Sequence, residues 1–302
     1  MEDDMTIRKR ISLNGGAFDG ANALVLDGVA FDIGTRVIKW WEPDGFGQYE
    51  TNRVVRNVED MRTGEVKKKI IAGRRYARRK KGIKGIRQIL IHHSGADRET
   101  PAIMRDVLHN QRGLSVQFAH EDNGLIYQFL DAIEAARHAG NHNQLSIGTE
   151  CCLFPDAGKR PNYYSPSNRK RTGNLPHKKR VEVIQGMRKE VFCFTDPQVD
   201  ALARWAAGLW CGLLILGKGR PPQHKGGVSA DVPFNIPPTF PRNSKGEIPR
   251  KVFKRALEYC GLLGHLHCSP RKWDPAGFPW EEFERLVDRY FWTFTRNYSG
   301  RK

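Results

Sequence analysis

Apolar and polar residues alternate with two different periods along the chain from residue 86 onward. The run 86–92 is short and rich in isoleucine and leucine, which is typical of a buried strand. Thr100 and Pro101 then supply the N-cap and first turn of a helix, whose apolar residues up to Leu108 recur at helical spacing. A strand followed by an amphipathic helix indicates an α/β domain.

The later part of the chain continues this pattern. Apolar residues alternate with other residues on both sides of an Asn-Gly pair at 123–124, which predicts a β-hairpin over 115–129. Another short strand is predicted at 146–153. Apolar residues at helical spacing predict one helix that opens at Thr195 and a final helix over 280–294. The apolar faces of both helices are expected to lie in the core.

Composition divides the chain into three parts. Residues 1–66 mix short apolar pieces with Gly, Asp and Pro, which predicts a small β-rich N-terminal extension. A basic linker is predicted at 67–85, followed by the α/β domain at 86–295. This domain carries a basic insertion at about 155–190 and a loop at 217–250, both rich in turn-forming residues.

The chain is strongly basic. Its 302 residues include 50 Lys and Arg against 33 Asp and Glu, which gives a formal net charge of +17. Because 39% of the residues are hydrophobic, a disordered chain and a disulfide miniprotein are excluded. The charge favours a polyanionic partner: nucleic acid, an anionic membrane surface or an acidic wall polymer. Between 67 and 87 there are eleven Lys and Arg and no acid, which favours a solvated linker over an anion-binding patch.

Cysteine usage and the N-terminal segment bear on the compartment. The six cysteines show no CxxC pair and no regular spacing, so we expect them to be reduced and mostly buried. No apolar leader follows the first ten residues, and the most apolar run, 205–216, has only 12 residues. We therefore expect a chain made in the cytoplasm without a signal peptide or a membrane span.

Two histidine-containing segments are candidates for a metal site. His92 and His93 stand at the end of a predicted strand, and His265 is followed by Asp274 nine residues later in a loop. Two neutral imidazoles and one carboxylate form a three-ligand zinc set that leaves the fourth position open for water. Since neighbouring side chains of an extended chain point to opposite faces, only one of His92 and His93 can face the metal.

Five fragments occur in a particular order along the chain: ILIHHS at 89–94, NGLIYQ at 123–128, ARHAG at 136–140, SIGTE at 146–150, and GH at 264–265 followed by RKWDP at 271–275. In this order they resemble the zinc-dependent N-acetylmuramoyl-L-alanine amidases of the type-2 amidase and peptidoglycan-recognition superfamily. The resemblance covers roughly 86–154 and 195–290. It implies an α/β fold with a central mixed β-sheet flanked by helices.

The resemblance also assigns roles. It makes His92, His265 and Asp274 the ligands of one Zn²⁺ ion, Glu150 the general base and Lys272 the group that stabilises the oxyanion. Zinc would polarise the scissile carbonyl and activate a water, whose proton Glu150 would pass to the departing amine.

Other positions near these fragments bear on the ligand set and on substrate contact. His138, His93 and Arg271 are candidates for orienting a ligand or contacting substrate. Val116 stands where other branches of the family carry a tyrosine, which favours a mechanism based on Glu150. A thiolate is a good zinc ligand, but relatives that use cysteine place it at the position of Asp274, which argues against Cys268. Five further histidines are treated as non-ligands or left open: His120, His142, His177, His224 and His267.

The leading hypothesis is an endolysin-like peptidoglycan hydrolase that cleaves the amide bond between N-acetylmuramic acid and L-alanine. One alternative is a peptidoglycan-recognition protein that binds without hydrolysis, and the presence of a full ligand set argues against it. A basic nucleic-acid-binding protein is a third hypothesis, but no recognition motif supports it. Expected partners are peptidoglycan or muropeptide and, through the basic segments, anionic wall polymers. The enzyme would act on the wall after lysis or specialised export, or on cytosolic muropeptides.

Overall fold

The computed structural model describes residues 7–46, 54–59, 66–71, 76–95, 101–217 and 236–300. The described strands are β1 Lys9–Ser12, β2 Ala23–Leu26, β3 Val29–Asp32, β4 Val37–Lys39, β5 Val54–Glu59, β6 Val66–Ile71, β7 Tyr76–Arg78, β8 Gln88–His93, β9 Phe118–His120, β10 Ile126–Gln128, β11 Glu134–Ala136, β12 Ser146–Cys151, β13 Lys179–Ile184, β14 Met187–Phe192 and β15 Gly261–Gly264. The described α-helices are α1 Pro101–Asp106, α2 Pro166–Thr172, α3 Asp196–Leu216, α4 His265–Cys268 and α5 Trp280–Ser299.

A six-stranded sheet with the order β15-β8-β12-β9-β10-β4 forms the centre of the molecule. Its neighbouring strands are parallel except for the antiparallel pair β9 and β10. That pair is the hairpin predicted around Asn123 and Gly124, and Gly124 has the positive φ of +89° that the turn requires. The expected mixed sheet with helices is confirmed.

The long helix α3 forms the middle of the core. Thr195 caps it by accepting a hydrogen bond from the Gln198 amide at 3.3 Å, and Pro197 stands in its first turn. The helix packs against α5, β2 and β3, and Trp205 and Trp210 are fully buried. Among the described helices only α3 has the length and apolar composition of a membrane span, and 72% of its most apolar window is buried within the protein.

Helix α3 lies very close to the N-terminal segment at Gly208. A Cβ at this position would lie 2.3 Å from Cγ2 of the fully buried Ile33. We expect Gly208→Ala to lower the free energy of unfolding by about 1–3 kcal/mol through overpacking, although alanine favours helix by about 1 kcal/mol. Denaturant titration measures this change, and Gly300→Ala, where the nearest atom is 3.5 Å away, is the matched control. Equal stability of both variants would contradict the expectation.

The N-terminal segment is integrated with the central sheet. Strands β2 and β3 contact α3, and β4 pairs with β10 to form one edge of the six-stranded sheet. The linker predicted at 67–85 instead contains most of β6, which pairs with β5, and all of β7, which pairs with β11. Arg79 is buried and donates to the Asn143 carbonyl at 3.0 Å. Strands β6 and β7 therefore make part of 67–85 regular structure rather than linker. The predicted domain boundaries stay a prediction.

The insertion predicted at about 155–190 includes regular secondary structure. It contains α2 and the antiparallel hairpin of β13 and β14. In the loop predicted at 217–250, residues 218–235 lie outside the described part of the chain, as does Thr100 at the start of α1. After α1 the chain continues as a π-helical segment, Val107–Arg112. All six cysteines are free, three of them buried and three half-buried.

Candidate active site

Three parallel strands end at the same edge of the central sheet and carry the candidate residues there. His92 on β8 is in register with Glu150 on β12, so their side chains point to the same face. Ile91 is in register with Gly264, the last residue of β15, and His265 follows directly at the start of α4. Ligands commonly bind at the carboxyl ends of parallel strands in open α/β sheets.

Three side-chain atoms converge at this edge. Nδ1 of His92 lies 2.9 Å from Nδ1 of His265 and 3.1 Å from Oδ2 of Asp274. Nδ1 of His265 lies 3.0 Å from the same carboxylate oxygen. All three residues are buried, and together they could hold a metal ion.

The donor set fits one zinc ion. Zinc bonds to nitrogen and oxygen of about 2.0–2.1 Å in a tetrahedron separate the donor atoms by about 3.3 Å, close to the distances observed here. Burial, followed by the neighbouring His265, lowers the pKa of His92 to about 4, so this imidazole is neutral at neutral pH. Burial alone would raise the pKa of Asp274, but hydrogen bonds to His265 and His92 hold it well below its usual range. Neutral imidazole and ionised carboxylate are the protonation states that bind a metal.

His138 contacts the opposite nitrogen of His92. Its Nδ1 lies 3.0 Å from Nε2 of His92, and its Nε2 lies 3.3 Å from Oγ of Ser146. Gly148 leaves room for this ring, because a Cβ there would be 2.4 Å from the imidazole of His138. A partner on the distal nitrogen fixes the orientation of a metal-binding histidine, so His138 is placed to orient His92.

The three donors line a cavity of about 320 Å³ together with Glu150 and Lys272. Arg271 is exposed in the lining of this cavity. His93 also lines it but lies on the alternate side of β8 and packs edge-on against Trp273, with ring centroids 5.3 Å apart. The structure therefore brings all the predicted site residues to one cavity, and the role of each stays a prediction.

Comparison with known proteins finds a family match for one part of the chain. Residues 82–216 match the profile of the family described as N-acetylmuramoyl-L-alanine amidase. This match covers less than half of the 302-residue chain. No curated protein matches the chain. The matched segment holds His92, His138 and Glu150 but ends before His265 and Asp274, so the geometry alone brings the last two into the same cavity.

Several solved structures are similar to the chain at low identity. The endolysin N-acetylmuramoyl-L-alanine amidase LysCS from Clostridium intestinale URNW is 14% identical, with 68% of this chain and 86% of that chain covered and a TM-score of 0.37. The amidase AmiD from E. coli is 17% identical, with 67% and 57% covered and a TM-score of 0.37. Staphylococcus aureus hydrolase AmiA is 12% identical, with 74% and 80% covered and a TM-score of 0.42.

The residues of this cavity that the sequence did not single out include two cations. Arg112 ends the π-helical segment after α1, and Lys159 lies in the insertion, and both are exposed in the cavity lining. Neither residue belongs to a recognisable motif, so only the folded chain places them near Glu150. Together with Arg271 and Lys272 they give the cavity lining four cations, beside the carboxylates of Glu150, Asp156 and Asp274.

The remaining described histidines make other contacts. His267 accepts from the Gly264 amide at 3.0 Å through Nδ1 and contacts the Pro249 carbonyl at 2.8 Å through Nε2. Sγ of Cys268 lies 3.8 Å from the Gly264 carbonyl, and Cys268 is not part of the metal cluster. Three further histidines contact a glutamine, a hydroxyl and a carbonyl: His142 with Gln88, His120 with Thr149, and His177 with Cys193. His224 lies outside the described residues.

Proposed function

We propose that this protein is a zinc-dependent amidase that cleaves the bond between N-acetylmuramic acid and L-alanine of the peptidoglycan stem peptide. The observation that carries this proposal is the convergence of His92, His265 and Asp274 in one cavity with Glu150 and Lys272. The match of residues 82–216 to the amidase family supports the reaction class. A binding-only protein would need neither a buried donor set nor a carboxylate and an ammonium beside it.

Each residue has a defined task in this reaction. His92, His265 and Asp274 would hold the zinc, which supplies a Lewis acid for the carbonyl and lowers the pKa of a bound water. Glu150 would accept a proton from the attacking water and deliver it to the departing nitrogen. The carbon–nitrogen bond breaks as the carbon–oxygen bond forms, which yields a lactyl carboxylate and a peptide with a free L-alanine amine.

Lys272 would stabilise the charge that develops on the carbonyl oxygen. An ammonium donor directed at such an oxygen typically contributes about 3–4 kcal/mol to the transition state. Lys272 lies two residues before Asp274 and is half-buried in the cavity wall. Partial burial favours this role because water screens the charge less there.

The exposed cations of the cavity lining support an anionic substrate. Arg112, Lys159 and Arg271 are exposed there, and stem peptides and wall polymers carry negative charges. We also propose that the basic segments bind anionic wall polymers, and that the protein acts on the wall after lysis or specialised export, or on cytosolic muropeptides.

Incubation with purified peptidoglycan tests the proposed reaction. Mass spectrometry should detect free stem peptides that begin with L-alanine, and a chelator should abolish their release. Added zinc should restore it, because the metal completes the site. Cuts in the glycan strand, cleavage of peptide cross-links, or release that persists under chelation would refute the assignment. Retention on insoluble wall with no released product would instead support the binding-only alternative.

A further inference from the structure

The hairpin of β13 and β14 reaches the loop that carries the metal-site residues. Its turn consists of Gln185 and Gly186, both with positive φ, +52° and +78°. Two central residues with positive φ are characteristic of a type I′ turn, in which asparagine or glycine is the favoured first residue. Glutamine is therefore unfavourable for the backbone at this position. Its presence suggests that the side chain has a role of its own.

The side-chain amide of Gln185 contacts three carbonyls of one short segment. Its Nε2 donates to the Leu266 carbonyl at 2.8 Å, to the Ser269 carbonyl at 3.1 Å and to the Lys272 carbonyl at 2.9 Å. A primary amide has two hydrogens, so the three acceptors share them. Gln185 Oε1 in turn accepts from the Val252 amide at 3.2 Å. All three carbonyls belong to residues between His265 and Asp274.

The same segment is closed on itself. The Leu266 amide donates to the Asp274 carbonyl at 2.7 Å, and the Lys272 amide donates to the Ser269 carbonyl at 3.2 Å. The Ser269 carbonyl therefore accepts from both Lys272 and Gln185, and the amide of Gln185 also donates to the Leu266 and Lys272 carbonyls. Loss of the Gln185 amide would remove a hydrogen-bond donor from these part-buried carbonyls. This loss would destabilise the loop, which has little regular structure.

The hairpin also contacts the chain after Asp274. Oε2 of Glu182 accepts from the Gly277 amide at 3.0 Å, and Arg180 donates to the Phe278 carbonyl at 2.7 Å. The ammonium of Lys189 lies 4.6 Å from the ring centroid of Trp273. The hairpin therefore contacts the loop both before and after Asp274.

We propose that Gln185 is a positioning residue, and that the insertion hairpin braces the 265–278 loop so that Asp274 meets His92 and His265 while Lys272 stays in the cavity wall. The part that concerns Lys272 rests on the proposed function. The part that concerns Asp274 rests on the contacts of the loop. The insertion then belongs to the active-site architecture, beyond any role of its charges in binding the wall.

Two substitutions separate the side chain from the backbone. Gln185→Asn suits the type I′ turn better than glutamine but shortens the side chain by one carbon–carbon bond, about 1.5 Å. Gln185→Glu keeps the length and, when ionised, has no hydrogen to donate to the three carbonyls. Met187→Ala is the matched control, since Met187 is 49% exposed at the same turn.

Cobalt affinity and hydrogen exchange measure the brace without any substrate. Both Gln185 variants should bind Co²⁺ about tenfold more weakly by absorption titration, a loss typical of removing support around metal ligands. Exchange of the 266–274 peptide should become faster. On a soluble muropeptide, kcat should fall with KM nearly unchanged, because Lys272 is displaced from the reacting carbonyl. Met187→Ala should match the wild type in all three measurements.

The outcomes distinguish the brace from the proposed reaction. Weaker cobalt binding and faster exchange, with no cleavage by any form of the protein, would support the brace and refute the amidase assignment. Wild-type cobalt affinity and exchange in Gln185→Asn and Gln185→Glu would overturn the brace, whatever their activity. Loss of folding in Gln185→Glu alone leaves Gln185→Asn to decide, because its turn is favoured.

Discussion

Muropeptide turnover is expected to fall roughly a thousandfold when Glu150 is replaced by glutamine, within the range typical of a general acid–base residue. The substitution preserves shape but removes the carboxylate that would accept the water proton. Glu150 is in register with His92 on the neighbouring strand, yet it is not one of the three converging donors. The zinc content of Glu150→Gln should therefore equal that of the wild type.

Steady-state kinetics on a soluble muropeptide, together with metal analysis, checks this expectation. Glu282→Gln is the control, because Glu282 is an exposed residue of α5. Its kcat should be unchanged. A Glu150→Gln protein with near wild-type kcat would exclude Glu150 as the general base, whereas loss of zinc would assign Glu150 a part in metal binding.

Asp274→Ala is expected to reduce zinc affinity more than roughly a hundredfold, since even residues that only support a ligand contribute 10–100-fold. Its carboxylate contacts Nδ1 of both His92 and His265 within 3.1 Å, so its removal leaves two imidazoles with no anionic partner at the cluster. Activity should disappear at low zinc. Excess zinc should recover only a small part of it, because two ligands hold the ion weakly.

Competition with a chromophoric chelator measures the affinity of each variant. Asp288→Asn serves as the control because Asp288 is exposed on α5, where it accepts a hydrogen bond from Trp292. Wild-type affinity in Asp274→Ala would mean that another group is the third ligand. Cys268 would be the first to examine, and a second substitution, Cys268→Ser, would then abolish binding.

Elements with strong periodicity were predictable from the sequence. Helices α3 and α5 and the hairpin at Asn123 carry long, unbroken patterns, and the structure confirms all three. The hairpin of β13 and β14 was missed because its turn is Gln-Gly and its flanks are rich in charged residues. Valines at 181 and 183, alternating with polar residues before that turn, were the available signal.

Segment boundaries were less predictable because they depend on partners far away in the chain. The basic run after residue 67 has the composition of a linker, yet β7 pairs with β11 and Arg79 is buried. Likewise, nothing local to β4 shows that it pairs with β10. Strand pairing at the edge of a sheet depends on a distant segment, and composition does not record it.

The sequence by itself determined which residue types are available for the site. A strand-end histidine pair, a histidine and an aspartate nine residues apart, and a glutamate in a separate strand are all readable in order, and the period of a strand shows that only one of His92 and His93 can face the metal. Only the tertiary structure places the ring of His92 within 3.1 Å of His265 and Asp274. The register of β8 with β12 and β15 sets which face each side chain takes, and Gln185 from the insertion contacts the loop before Asp274. Register and loop contacts arise from packing among distant segments, for which local sequence carries no signal.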